Sequence, residues 1–226
     1  MKQIYDDIWR EGAAAIGAGA CELDDLIDSP NDTRRGITLV FRPSEPVLDS
    51  YTDFLERVRE LEPEQYVYGG SEIHTTALSI ITCAEDFDLS AIDLASYERV
   101  IASCAVEVEP FDIEFRGLTA SAGCVMAQGF PVDDTLEQFR SRLREAFRGS
   151  ALRHTIDARY SIATAHSTLV RFRQPLNESA AFLDLLERHR DTDWGRFRVA
   201  APVLVHNDWY HKAGRVNDLA TFPLGV

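Results

Sequence analysis

The chain has 226 residues, 45% hydrophobic and 27% charged, with 37 acidic against 23 basic side chains and a formal net charge of −14. That length and composition describe a globular protein able to bury a sizeable core, as one larger domain or two fused lobes. Long nucleic acid is held mainly by cations on its phosphates, so the acidic balance argues against a duplex partner and favours a small phosphoester or a strand end.

Ile4, Ile8, Ala13, Ala14, Ala15 and Ile16 form a loose helical stripe broken by Gly17 and Gly19. Residues 2–27 therefore read as a helical preface, and residues 1–33 as an N-terminal appendage packed on a main body. Asp6, Asp7 and Glu11 stand where a secretory leader would be basic and then apolar. No apolar run nears the roughly 20 residues of a membrane span, so a cytoplasmic protein with no membrane partner is expected.

After a turn at residues 29–32, a first strand covers residues 36–41 and ends at a turn carrying Pro43 and Pro46. Asp49 or Ser50 then caps a helix to about Leu61, with Tyr51, Phe54, Leu55, Val58 and Leu61 as its stripe. A strand begins at Ser71, and a helix over 89–105 opens at Asp88 or Ser90. Strands at 108–118 and 123–130 are joined by a hairpin at 119–122. Asp133 or Asp134 caps a helix over 136–148, striped by Leu136, Phe139, Leu143 and Phe147. Residues 160–173 form a strand, Asn177 caps a helix from Ser179 to about His189, and residues 199–205 and 209–224 supply the last strands.

The four cysteines, Cys21, Cys83, Cys104 and Cys124, are far apart with no Cys-x-x-Cys pair. They read as buried free thiols, not a zinc site or a disulfide framework, and Cys124 as a small core residue.

The stretch 160–173, Tyr-Ser-Ile-Ala-Thr-Ala-His-Ser-Thr-Leu-Val-Arg-Phe-Arg, is rich in β-branched and aromatic residues and free of Gly and Pro. In a strand His166 and Thr168 share a face, with Ser167 and Leu169 opposite. Residues 73–81, Ile-His-Thr-Thr-Ala-Leu-Ser-Ile-Ile, repeat the pattern, with His74 and Thr76 on one face. The histidines are 166 − 74 = 92 positions apart, about one structural half. With six histidines, roughly one His-x-Ser/Thr match arises by chance, so strand placement and the order of helices around the pair carry the weight.

With His74-Thr75-Thr76-Ala77 and His166-Ser167-Thr168-Leu169 in hand, the chain resembles the two-histidine (2H) phosphoesterase superfamily of 2′-5′ RNA ligase-like and cyclic phosphodiesterase proteins. The second motif extends to the family form His-x-Thr-Leu-x-Arg, ending at Arg171. The first departs from it at Ala77, a smaller side chain than usual, and no basic residue comes after it. The resemblance spans residues 34–224. It implies an α+β fold over 34–226: a single bilobal, pseudo-twofold sandwich whose two antiparallel sheets form a central cleft, with helices outside. It implies hydrolysis of a 2′,3′-cyclic or 2′-5′ phosphodiester of a nucleotide or RNA end, catalysed by His74, Thr76, His166 and Thr168, with Arg171 contacting substrate.

One histidine would act as base and the other as acid, since a free pKa near 6.5 allows either. The resemblance favours His166 as base and His74 as acid, though near-symmetry lets the roles exchange. Threonine hydroxyls would bond the phosphoryl oxygens where charge develops. No cofactor or metal is called for, and a monomer is expected. The competing readings are a phosphoester-binding protein without turnover, and RNA 2′-5′ ligation, which an acidic surface suits poorly. Should both histidines be core residues, His74 and His166 would lie far apart.

The remaining candidates have plainer roles. His154 and His189 lie beside basic residues near helix ends. His206, Asp208 and His211 invite a metal, but a spacing of five is no helical pair and the stretch reads as a turn. Trp209 and Tyr210 read as core or rim, and Tyr66 and Tyr68 as packing residues. In a regular strand Arg171 and Arg173 face away from His166 and pair with acids on the outer face.

Overall fold

The computed structural model describes residues 1–159 and 161–225. Tyr160 and Val226, which end the expected strand 160–173 and the expected domain 34–226, lie outside the described residues. Among those described, the order is α1 (Lys2–Gly17), β1 (Arg35–Phe41), α2 (Glu45–Ser50), α3 (Thr52–Leu61), β2 (Tyr66–Val67), β3 (Thr75–Ala84), α4 (Leu94–Ala105), β4 (Phe111–Ala120) and β5 (Cys124–Pro131). Next come α5 (Thr135–Arg148), β6 (Ser167–Arg171), α6 (Ser179–Arg188), β7 (Asp193–Val199), β8 (Val203–Asp208) and β9 (Asn217–Thr221).

The strands pair antiparallel in the order β7-β4-β5-β6-β3-β1-β8-β9, with the short β2 on β6. The two expected sheets are the arms β3-β1-β8-β9 and β6-β5-β4-β7. They join at the inner strands through a single pair, Thr75 with Ser167. The side chains of this pair stitch the same seam, with their hydroxyl oxygens 2.9 Å apart and both residues fully buried. Each arm is built from a β-α-β-α run: β1, α2 with α3, β3 and α4 in one, β5, α5, β6 and α6 in the other. The pseudo-twofold organisation comes from this repetition.

One face of the joined sheet meets the helices over a continuous apolar core that includes Leu39, Ala77, Ile80, Val125, Leu169, Phe139 and Phe182. The other face, across the seam, is the cleft. No helix among the described residues is long and apolar enough to cross a membrane.

Several boundaries differ from the sequence reading for local reasons. The helix expected from residue 49 starts at Glu45, because Pro46 occupies the first turn, where its missing N–H costs nothing, and it breaks at Tyr51. The preface stops at Gly17. The helix expected from residue 89 begins with one 3-10 turn, Leu89–Ala91, whose Ser90 amide Asp88 caps, and α4 comes after it.

Helix α6 is not capped by Asn177. Instead the fully buried Glu62 carboxylate accepts from the Asn177 and Glu178 amides at 2.9 and 2.8 Å, a cap from 115 residues away in sequence. Strand β7 goes unread in the sequence, where residues 199–205 look like one strand. Ala200, Ala201 and Pro202 in fact separate β7 from β8. Within β7, Gly195 at φ +95° interrupts the alternation of Trp194, Phe197 and Val199.

Residues 18–34 have no regular structure and cross between the arms. Asp24 N–H donates to Phe172 O just past β6, while Tyr210 OH, from the loop after β8, donates to the Asp24 carboxylate at 2.5 Å.

Candidate active site

The two motifs do not lie wholly within strands. His74 and His166 each sit one residue before their strand, on irregular chain that ends at Thr75 and Ser167. Residues 161–166 are irregular because the arms diverge there, with only the Thr75–Ser167 pair between β3 and β6. The imidazoles are thus released from the ladder at the point where the arms part.

Both halves continue past their histidine with the same irregularity. In β6, Val170 pairs with Val125 and Thr168 with Met126, leaving Leu169 extra. In β3, Leu78 pairs with Leu39 and Thr76 with Val40, leaving Ala77 extra. A one-residue bulge resets which face the next side chain takes. Both bulges fall three residues after the histidine, so the fifth residue after it returns to the cleft: Ser79 in one arm and Arg171 in the other. The expectation that Arg171 faces away from His166 is corrected by this bulge. Arg173 does face outward, pairing with Asp28 at 2.6 Å.

His74, Thr76, His166, Thr168 and Arg171 accordingly line one cleft of about 160 Å³, together with Ser79, Tyr68 and Trp209. The prospect of two core histidines far apart is removed. His74 Nδ1 donates to the Glu72 carbonyl at 2.7 Å, which leaves Nε2 for the cleft. His166 Nδ1 meets Thr164 Oγ1 at 2.8 Å, leaving its Nε2 likewise. Burial pushes both imidazoles down to about 4. For His74 the Glu72 carbonyl works against that shift and Arg42 adds to it, whereas for His166 the positive fields of His74, Arg140 and Arg171 all add to it.

Arg171 keeps its charge. Burial opposes ionisation, but Tyr68, Cys124 and Asp24 more than offset it. Its nearest carboxylate is Asp24 at 3.6 Å.

Three contributors were not read from the sequence. His211 stacks on His74 with ring centroids 3.8 Å apart and planes at 27°, and burial holds it far below its ordinary pKa. It reaches the cleft from a left-handed backbone at φ +55°. His206, by contrast, packs against Phe87 outside the cleft lining, so the His206, Asp208 and His211 set does not converge. No group of three or more His, Cys, Asp or Glu side chains among the described residues is placed to hold a metal ion.

The second contributor is Arg140 of α5, which is fully buried. Its guanidinium donates to the carbonyls of Thr76, Ala77 and Thr164, each at 2.8 Å, and so grips both motifs from behind. Burial lowers its pKa only to about 10, so it remains charged at neutral pH.

The third is Tyr5 of α1. Its hydroxyl accepts from the amides of Gly129 and Ala165 at 3.2 and 3.1 Å and donates to Gly129 O at 3.0 Å, holding the residue before His166. Tyr5 and Arg140 carry no motif. A polar residue every third position along β3 (Thr76, Ser79, Thr82) was the legible trace of its bulges.

Of the residues given plainer roles, Tyr68 is a cleft residue, its hydroxyl 3.5 Å from Arg171 Nε, while Tyr66 donates to Glu72 at 2.8 Å. Tyr210 is buried and Trp209 half-buried, and both line the cleft. The guanidiniums of Arg34 and Arg159 lie 5.0 and 4.6 Å from the centre of the Trp209 ring. Cys83 lines the cleft, but burial raises its thiol to about 12, which leaves it un-ionised at neutral pH.

No protein-family model and no curated protein matches the sequence. Solved structures do match in shape. ATU0111 of Agrobacterium tumefaciens str. C58, a conserved protein of unknown function, has 14% identity and a TM-score of 0.63, over 93% of this chain and 98% of its own. A phosphoesterase has 14% identity and a TM-score of 0.56, over 84% and 98%. Escherichia coli LigT, solved with 3′-AMP, has 11% identity and a TM-score of 0.53, over 84% and 98%. At these identities the likeness is one of fold: the chain has the LigT-like α+β fold.

Proposed function

We propose that this chain is a phosphodiesterase that hydrolyses a 2′,3′-cyclic or 2′-5′ phosphodiester of a nucleotide or RNA end by paired-histidine acid–base catalysis, with no step assigned to a metal. The observation that carries the reading is that both His-x-Thr motifs turn an imidazole and a hydroxyl into one cleft, with each imidazole tethered through Nδ1 to its own arm.

In the reaction, His166 Nε2 takes a proton from water as the water oxygen attacks phosphorus. The bond from phosphorus to the leaving oxygen breaks, and His74 Nε2–H protonates that oxygen. The surroundings support this division of roles. Burial and the cationic neighbours of His166 favour its neutral, basic form, while at His74 the Glu72 carbonyl favours the protonated form against burial and Arg42. Thr76, Thr168 and Arg171 supply donors for the phosphoryl oxygens, where charge accumulates. A small nucleotide or RNA end is the partner of suitable size, and the proposal places the protein in the cytoplasm as a monomer. Residues 1–33 are taken as an appendage to a single bilobal domain.

The test is hydrolysis of the four nucleoside 2′,3′-cyclic phosphates in EDTA, with wild type, His74→Ala and His166→Ala. EDTA-resistant turnover lost in both variants is expected. Turnover that survives both substitutions in folded protein would reject the site.

A further inference from the structure

A second cavity, of about 250 Å³, adjoins the cleft and shares Thr76, Ile162 and His166 with it. Its other walls are Ile4 and Ile8 of α1 and the chain leading to His166, including Ala163 and the hydroxyls of Ser161 and Thr164. Among the described residues no Lys, Arg, Asp or Glu lines it, whereas Asp157, Arg159 and Arg171 line the main cleft.

Ile4 is 39% exposed, an apolar side chain that packing within the fold does not account for. Ile8 lies one helical turn further along the same face. The helix carrying them is fixed in place. Tyr5 OH holds Gly129 and Ala165, Thr119 Oγ1 donates to Tyr5 O at 3.0 Å, and Gly12 lies so close to β4 that a Cβ there would stand 1.8 Å from Ala120 O.

We infer that this chamber is the subsite for the uncharged heterocycle of the substrate, its nucleobase, with the anionic remainder on the Arg159 and Arg171 side and the scissile phosphorus between. The inference rests on the phosphoesterase reading above and adds α1 to the substrate-binding surface. Apolar walls with a few placed hydroxyls suit a flat, uncharged group. A phosphate moved into the same chamber would lose its hydration with no cation to replace it.

The test is calorimetric titration of wild type and the Ile4→Ser/Ile8→Ser double variant with adenosine 3′-monophosphate and, separately, inorganic phosphate. Wild type is expected to bind the nucleotide more tightly than phosphate. The double variant should lose at least about tenfold in nucleotide affinity, the scale of a trimmed apolar pocket. Its phosphate affinity should stay unchanged, which also reports that its cleft is folded. Equal nucleotide affinity in the two proteins, or nucleotide binding to wild type no tighter than phosphate, would overturn the subsite and leave the phosphoesterase reading standing. Absence of binding by both probes to wild type would overturn the two together.

Discussion

Replacing Arg140 by Met tests whether the two motifs are held from behind by one buried cation. The guanidinium makes three hydrogen bonds to carbonyls, of Thr76, Ala77 and Thr164, from a fully buried position. Bonds from a charged donor contribute about 1.5–3 kcal/mol each, or about 4.5–9 kcal/mol for three. Against this stands the cost of bringing the cation out of water, itself several kcal/mol. Removing the cation leaves three buried carbonyls unpaired at about 1–3 kcal/mol each, less the desolvation no longer required, for a net loss of about 3–5 kcal/mol. At about 2–4 °C per kcal/mol for a chain of this size, the melting temperature should fall by about 6–20 °C. Arg142→Met, on the same helix but exposed and paired with Glu107, is the control and should stay within about 0.5 kcal/mol of wild type. Arg140→Lys should recover little, because one ammonium cannot reproduce a fork that spans both arms. Thermal unfolding followed by circular dichroism reads all three. A melting temperature for Arg140→Met within the range of the Arg142→Met control would refute the reasoning.

Tyr5→Phe removes a hydroxyl that serves the amides of Gly129 and Ala165. The orphaned groups should cost about 2–3 kcal/mol, and kcat should fall with KM little changed, as expected of a residue that positions His166 without touching substrate. Wild-type melting together with wild-type kcat would dismiss that role. For the pH dependence, both cleft histidines have pKa values near 4 in the free protein, so fewer of them carry a proton as pH rises from 4 towards 7. The kcat/KM profile, which reports free enzyme, should peak below pH 6.5. The kcat profile should peak at higher pH, because a bound anion raises the pKa of the imidazoles beside it. A kcat/KM optimum above pH 7.5 would contradict the burial of the pair. The same shifts set an acid limit on stability. Above about pH 6.5 the histidines are neutral in both folded and unfolded chains, and they contribute no pH dependence. Between about 6.5 and 4 the unfolded chain binds protons that the folded one does not, so stability falls as pH falls.

The motif residues were legible because β-branched side chains surround them and because the pattern occurs twice with a helix on either side. Helix α5 was legible from its stripe of Leu136, Phe139, Leu143 and Phe147, all of which are buried. That same stripe concealed Arg140, which shares the buried face but is charged, and so reads as a surface residue in any hydropathy pattern. The cap on α6 was illegible for a different reason: Glu62 reaches it through the fold, and no local signal marks a side chain acting 115 positions away. His211 was visible as a histidine near others. Its stacking on His74 depends on how the β8–β9 turn folds back over the seam, which spacing alone does not encode. The face of Arg171 was misread because strict alternation was assumed where a bulge intervenes.

The bulges also bear on how a nearly symmetric cleft can assign unequal roles. Each arm delivers a histidine, a threonine and, after one extra residue, a third cleft side chain. Symmetry ends at that third position, where one arm carries Ser79 and the other Arg171, and at Nδ1, where one histidine meets a carbonyl and the other a hydroxyl. Arg171 adds to the lowering of the histidine on its own arm, and the carbonyl partner opposes the lowering of the other, to which Arg42 adds, so that both imidazoles reach about 4. On the proposed mechanism, these two local differences are where an otherwise repeated scaffold distinguishes base from acid. Exchanging the third side chains, Ser79→Arg with Arg171→Ser, would move the cation to the other arm while leaving both His-x-Thr motifs intact, and on this argument the favoured direction of proton transfer should move with it.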